Sequence, residues 1–288
     1  AARDCATAEG NLDLSENGYA KIFELGINSP EVLFAVEFKS SVIDHAYDAY
    51  VRPSGDTKEL GKQVYSGFVP TSELVDSYEM AGDGGNFSWE KHGKDPYANR
   101  EPRFYATILY NGADWMGRKI ESFVGGKDGY KAYENAGAAE TTVTGYYLRK
   151  YLIDGDKTWV TSGSGQDWIV LRYAEVLLNK AEALAMENWN KNSAEALQAL
   201  NDVRARVGLP ARATADKETF LEYVRHERKV ELAGEGFRYW DLRRWRLAEK
   251  VIDGQNVHGV KISKQSDGSF TYEQVDADGG HKRIFYDR

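Results

Sequence analysis

The stretch HERKVELAGEGFRYWDLRRW, residues 226–245, holds nine charged and four aromatic residues in twenty positions. On a helix over residues 220–235, at about 100° per residue, Glu227, Glu231 and Glu235 share a face with apolar side chains, within a sector of about 140°. An unpaired carboxylate on an apolar stripe is costly. The sequence therefore predicts that these three carboxylates are buried and paired with cations.

The helix that follows carries the nearest cations along the chain, and we expect one or more of Arg238, Arg243 and Arg244 to pair with the carboxylates. Such a network fixes geometry more surely than it adds net stability. The aromatic side chains expected to seal it are Phe237, Trp240 and Trp245.

Catalytic interpretations of this stretch are weaker. His226 and Glu227 begin like the HExxH helix of zinc proteases, but the fifth position is Val230, which cannot bind the metal. Paired carboxylates can serve as a general acid and base, yet several nearby arginines favour their ionised form. The stretch is predicted to be scaffolding.

Helical periodicity continues upstream. Asn192 followed by Glu195 resembles a capping box, which predicts two helices forming a hairpin of the tetratricopeptide kind, the second ending at Gly208. Further helices are expected over about 216–235 and 236–251. The first helix of the hairpin is expected to use an apolar stripe of Leu171, Ala174, Leu178, Ala181 and Ala185.

The composition changes near residue 166, because 20 of the 28 glycines and five of the six prolines lie before it. Short strands are predicted within 31–38, 106–110 and 144–152. We expect one mainly α unit over 1–288, a tetratricopeptide-like helical scaffold with long loops and a few short strands. Its regions are a loop-rich, ligand-facing part (1–165), a helical core (166–254) and an irregular or hairpin-like tail (255–288).

Whole-chain properties exclude several classes of protein. The net charge of −8 argues against nucleic-acid binding, which relies on clustered Lys and Arg. Cys5 is the single cysteine, so no internal disulfide or cysteine-based metal cluster can form. No motif indicates a metal or another cofactor, and the Asp276–Gly279 segment has only a fragment of a calcium-loop pattern, which favours a turn.

Several segments together resemble the SusD/RagB family in order and spacing. The last of them is the stretch at 226–245. The others are FVPTSELVDSYEM (68–80), DPYANREPRFYATILYNG (95–112), GYYLRKYL (145–152), RYAEVLLNKAEAL (172–184) and LNDVRARVGLP (200–210).

This resemblance implies a non-catalytic surface lipoprotein of the Bacteroidetes outer membrane that binds glycans, or sometimes peptides. It also implies a partner, a SusC-type TonB-dependent transporter. The family's N-terminal half is absent from this sequence, so we expect a C-terminal portion, with membrane contact only through a lipid anchor in the missing part. Asp95, Arg100 and Arg103 match a family motif that is expected to tie a loop to the scaffold.

Aromatic side chains in loops are the candidate ligand contacts, because sugar rings present flat C–H faces that aromatic rings can match. Tyr146, Tyr147, Trp168, Trp240 and Trp245 lie in regular patterns and are expected to pack in the core, and Trp115 ranks below the loop aromatics. The candidate site residues are Trp89, Tyr47, Tyr50 and Tyr65, with the nearby polar groups Asn86 and Lys91.

Three classes of function are considered, and we favour the first. The first is a glycan-binding protein, or its peptide-binding homologue. A helical scaffold for protein partners is the second. The third is a glycoside hydrolase, which needs two carboxylates facing each other across a cleft, and no motif singles out such a pair.

Overall fold

The structure, a computed structural model, describes residues 16–129 and 141–277. Cys5 and the last two residues of the Asp276–Gly279 turn lie outside these ranges. The chain is mainly helical, as expected. The helices are α1 (Glu16–Leu25), α2 (Tyr47–Val51), α3 (Asp56–Leu60), α4 (Ser72–Val75), α5 (Trp89–His92), α6 (Pro102–Thr107), α7 (Trp159–Ser162), α8 (Tyr173–Ala205), α9 (Lys217–Glu231), α10 (Phe237–Arg244) and α11 (Ala248–Ile252).

Short strands pair only in twos within the described ranges, always antiparallel. The predicted strand within 106–110 shrinks to two residues, because Pro102 at the first position of α6 starts a helix that runs to Thr107. The pairs are β1 (Val32–Val36) with β6 (Trp168–Arg172), β2 (Ile108–Leu109) with β5 (Tyr147–Leu148), β3 (Asp114–Trp115) with β4 (Arg118–Lys119), and β7 (His258–Lys264) with β8 (Phe270–Asp276).

The predicted helical hairpin is present, but its turn is elsewhere. α8 bends at Asn188 (φ −160°, ψ 95°), whose side-chain oxygen accepts a hydrogen bond from the backbone N–H of Lys191 at 3.2 Å. Asn188 therefore caps the second helix, and the capping box at Asn192 and Glu195 was wrong. Glu195 instead pairs with Lys180 at 2.7 Å.

Other boundaries also differ from expectation. Leu171 lies in β6 and not on the helical stripe. The expected helix over 236–251 is interrupted between α10 and α11, where Arg246 has a φ of 57°. Of the two forms expected for the tail, irregular or hairpin-like, its described part takes the hairpin, in which β7 and β8 form seven residue pairs.

The burial of Glu227, Glu231 and Glu235 is confirmed, with relative exposures of 0%, 0% and 7%. Their expected partners were wrong. The chain turns through Gly234 and Gly236, both with positive φ, and Arg244 at the end of α10 bonds Glu182 of α8 instead. Trp240 is 65% exposed and seals nothing.

The cations that meet these carboxylates come from distant segments. Arg172 bonds Glu31, Glu231 and Glu235 at 2.7–2.8 Å, and Lys150 bonds Glu235 at 2.6 Å. We call the whole set the central ion network; it joins the loop-rich part to the helices. Its carboxylates are Glu31, Glu79, Glu101, Glu227, Glu231 and Glu235, and its cations are Arg103, Lys150, Arg172, Arg204, Arg206 and Arg212.

Candidate ligand-binding surface

Three large aromatic side chains are exposed close together in the loop-rich part. Tyr50 is 45% exposed, Tyr65 46% and Phe68 64%. The rings of Tyr50 and Tyr65 stack, with centroids 5.1 Å apart and planes 28° apart, and Phe68 meets Tyr50 edge-on at 6.2 Å. We call these three residues the aromatic platform.

The backbone beneath the platform is tightly bonded. Tyr50 lies in α2, and its carbonyl oxygen accepts hydrogen bonds from the N–H groups of Gly67 (2.7 Å) and Phe68 (3.2 Å). The N–H of Tyr65 donates to the carbonyl of Ala49 at 2.7 Å. These bonds join the two segments that carry the platform, so the backbone that positions its rings is fixed.

Ser66 makes the turn between Tyr65 and Phe68. Its φ is 48°, in the left-handed region that side chains other than glycine seldom adopt. Its hydroxyl donates to the carbonyl of Arg52 at 3.0 Å. Residues held in such conformations cluster at binding sites, where the surrounding structure maintains the strain.

Arg52 anchors this region from below. Its side chain is fully buried and bonds Asp48 at 2.7 Å and Asp56 at 3.4 Å. Its guanidinium also lies 5.2 Å from the ring centroids of Trp115 and Trp159. Trp115 is itself fully buried, which is consistent with its low rank among the ligand candidates.

Trp89 lies at the start of α5 and is half-buried. Its indole N–H donates to a carboxylate oxygen of Asp76 at 2.8 Å, and its ring meets Phe87 edge-on at 5.5 Å. The ring also packs against the buried apolar cluster that includes Val75, Tyr78 and Tyr97, and within the described ranges it stacks on no platform residue. The polar candidates Asn86 and Lys91 flank it and are exposed.

Tyr47 faces the core. Its hydroxyl donates to the carbonyl of Lys150 at 2.8 Å, and its ring contacts Tyr151 and Trp168 at about 6 Å. This packing favours a structural role. The structure therefore brings together Tyr50 and Tyr65 of the six candidates and adds Phe68, whose apolar side chain gave no sign of exposure in the sequence.

Arg100 and Arg103 tie loops to the scaffold and are both buried. Arg100 donates to the carbonyls of Val75, Tyr78 and Pro96. Asp95 is exposed. Tyr146 and Tyr147 are fully buried, as expected.

The described residues contain no cluster of three or more His, Cys, Asp or Glu side chains placed to hold a metal ion. None of their helices combines the length and apolar character needed to cross a bilayer.

A model described as the SusD family matches residues 30–284. The SusD-like protein P38 of Formosa agariphila is 32% identical over 133 residues, which make up 43% of this chain and 25% of that protein.

Solved structures share the fold. A SusD-like protein of Bacteroides fragilis has a TM-score of 0.75 at 25% identity, covering 99% of this chain and 56% of its own. A SusD-like carbohydrate-binding protein of the same species has a TM-score of 0.71 at 25% identity, covering 94% of this chain and 56% of that protein. Surface glycan-binding protein A of Bacteroides thetaiotaomicron, solved with laminarihexaose, has a TM-score of 0.53 at 21% identity, covering 88% of this chain and 50% of that protein.

These similarities confirm the tetratricopeptide-like helical scaffold with long loops. The chain spans only about half the length of these solved relatives and a quarter of the curated one.

Proposed function

This chain belongs to the SusD family, and from that membership we propose that it is a non-catalytic, glycan-binding protein of the bacterial cell surface. It captures oligosaccharides and passes them to a SusC-type TonB-dependent transporter of the outer membrane. The B. fragilis relative described as carbohydrate-binding supports the ligand class.

The observation that carries the proposal is the aromatic platform. Rigid aromatic rings supply apolar area for the C–H faces of sugars and lose little conformational entropy on binding. Here two of the rings already stack, and main-chain bonds fix the segments that hold them. Tyr50, Tyr65 and Phe68 are the proposed stacking residues, and Trp89, with Asn86 and Lys91 beside it, is proposed as a second contact.

Glu231 and Glu79 of the central ion network are poorly suited to act as the general acid of glycoside hydrolysis. Burial raises the pKa of Glu231 and Glu79, but the charges and hydrogen bonds of the surrounding arginines outweigh it and hold both pKa values well below the ordinary range. A general acid needs the opposite shift, toward neutral pH. These groups therefore support a structural role.

A glycan array tests the proposal directly. The parent protein and a Tyr50→Ala/Tyr65→Ala variant are applied to the same array, and released sugar is measured for every glycan that binds. We expect selective binding by the parent, strongly reduced binding by the variant, and no sugar release. Binding of peptides but not glycans would favour the peptide-binding homologue, and sugar release would favour the hydrolase.

A further inference from the structure

The side chain of Trp89 makes one polar contact with the protein. The residue begins α5, a single turn capped by the Ser88 side chain, and its ring packs on one side against the buried apolar cluster that includes Val75, Tyr78 and Tyr97. The indole N–H donates to the Oδ2 atom of Asp76 at 2.8 Å. Asp76 is fixed in turn, because its own backbone N–H donates to the carbonyl of Ser72 at 2.8 Å at the end of α4.

The carboxylate of Asp76 has few other partners. Within the described ranges its Oδ1 atom is buried and accepts no hydrogen bond, and no cation lies within ion-pair distance. Arg100 is nearby, but two of its nitrogens donate to backbone carbonyls. Gln274, on β8, reaches Oδ2 from the other side at 3.4 Å. The indole N–H is thus the shortest bond that this carboxylate makes.

We propose that Asp76 is the positioning residue of Trp89, and that its ionised carboxylate holds the indole in the orientation that binds glycan, so that affinity falls when Asp76 takes up a proton. This rests on the proposed function, since it takes Trp89 to contact the glycan. A hydrogen bond to an ionised acceptor is roughly twice as strong as one between neutral groups, so protonation weakens the hold on the ring.

The environment of Asp76 places this change in an accessible pH range. Burial raises the pKa of Asp76 to about 6, against the opposing effects of the Trp89 hydrogen bond and the Arg100 charge. Burial also lowers the pKa of Lys229 to about 8, so this neighbour remains charged while Asp76 titrates. The groups that face Asp76 are Glu73 on α4, Arg100 before α6, Lys229 on α9, and the hydroxyls of Tyr97 and Tyr146.

The sign and size of the effect follow from the ionised fraction. With a pKa of about 6, Asp76 is ionised in most molecules at pH 7.5 and in about one-tenth of them at pH 5. If only the ionised form is competent to bind, the apparent Kd rises by the inverse of that fraction. We therefore expect affinity to fall about tenfold from pH 7.5 to pH 5.

The first test needs no glycan. The indole N–H resonance of Trp89 is assigned by its loss in a Trp89→Phe variant and is followed by two-dimensional NMR from pH 5 to pH 8. We expect it to shift with a midpoint near pH 6 in the parent and to stay constant in Asp76→Asn. Glu90→Gln, which removes an exposed carboxylate on α5, serves as the matched control and should titrate like the parent.

Two histidines lie close to this pair: His92 stacks on Phe87 beside the indole, and His258 contacts Glu73 and Asp276. His92→Gln and His258→Gln variants are therefore included, and the midpoint should remain in both. A resonance that ignores pH in the parent, or that still titrates in Asp76→Asn, would refute the positioning role whatever the glycan data show.

The second test measures affinity by isothermal titration at pH 7.5 and pH 5, using laminari-, cello-, xylo- and maltohexaose as probes. The parent should lose about tenfold in affinity, while Asp76→Asn should bind weakly and equally at both values. If affinity is independent of pH although the resonance titrates, Trp89→Ala separates the causes. If that variant binds more weakly than the parent, Trp89 contacts the glycan but protonation of Asp76 does not control affinity. If it binds as tightly as the parent, Trp89 is not part of the proposed site.

Failure of all four hexaoses to bind at pH 7.5 would count against the proposed function. The resonance titration would then still decide whether Asp76 positions the indole.

Discussion

Replacing Glu231 by Ala removes the acceptor at the centre of the ion network. One carboxylate oxygen of Glu231 accepts from Arg172 and from Arg206, each at 2.7 Å, and the other accepts from Arg103 at 2.8 Å. The carboxylate is fully buried, so water does not reach it in the folded protein. After the substitution, Arg103, Arg172 and Arg206 each lose one partner in the protein interior.

The loss of stability depends on which carboxylate partners each arginine keeps. Three hydrogen bonds to a charged group, at about 1.5–3 kcal/mol each, set an upper limit of roughly 5–9 kcal/mol. Arg172 and Arg206 retain Glu31, and Arg103 retains Glu101 and Glu227, so the loss is smaller. We expect about 3–5 kcal/mol, the usual cost of breaking a buried pair from one side.

Urea unfolding followed by circular dichroism measures this free energy. Glu195→Ala is the matched control, since it breaks an exposed pair with Lys180 on α8 and should cost less than about 1 kcal/mol. Thermal unfolding of Glu231→Ala should occur on the order of 10 °C below the parent. If Glu231→Ala is no less stable than Glu195→Ala, the central ion network does not hold the two parts of the chain together.

Three further predictions concern acid stability and the proposed site. The arginines hold the pKa of Glu231 and Glu79 below the unfolded value of about 4.3. The contribution of these two carboxylates to the free energy of unfolding is therefore present above that pH and is lost as the pH falls below it. Urea unfolding at several pH values should show this loss, and Glu231→Gln should show a smaller one. Ser66→Val places a β-branched residue at a φ of 48° and should weaken glycan binding. Ser66→Gly loses the same hydroxyl bond to Arg52 but tolerates this φ, so it should keep glycan binding and be about 1–2 kcal/mol more stable than Ser66→Val in urea unfolding; equal stability of the two variants would contradict the strain argument. Trp89→Ala should weaken glycan binding by more than about 1 kcal/mol in isothermal titration, and unchanged affinity would remove Trp89 from the site.

The sequence predicted the burial of the three carboxylates but not their partners. Burial follows from local periodicity, because Glu227, Glu231 and Glu235 share a stripe with apolar residues. Pairing depends on contacts between distant segments: Arg103 lies 128 residues from Glu231 and Arg172 lies 59 residues away. Helical spacing carries no information on such contacts, and the nearest arginines in sequence were the wrong partners.

The sequence also predicted only part of the candidate site. Placement in polar loops favoured Tyr47, Tyr50 and Tyr65 alike, but loop placement does not say which ring turns inward. The turn of α2 puts the hydroxyl of Tyr47 on the carbonyl of Lys150, while the Ser66 turn presents Phe68 to solvent beside Tyr50. Both outcomes depend on hydrogen bonds between segments, which composition does not reveal.

The central claim is that the aromatic platform binds glycan, and isothermal titration of one oligosaccharide selected from the array tests it most directly. The titration compares the parent with Tyr65→Ala and with Tyr239→Ala, which removes an exposed tyrosine on α10, 49% accessible and outside the platform. The account predicts that Tyr65→Ala lowers affinity at least fivefold, more than about 1 kcal/mol, while Tyr239→Ala binds like the parent. Equal affinity of the parent and Tyr65→Ala, with both proteins folded, would contradict it.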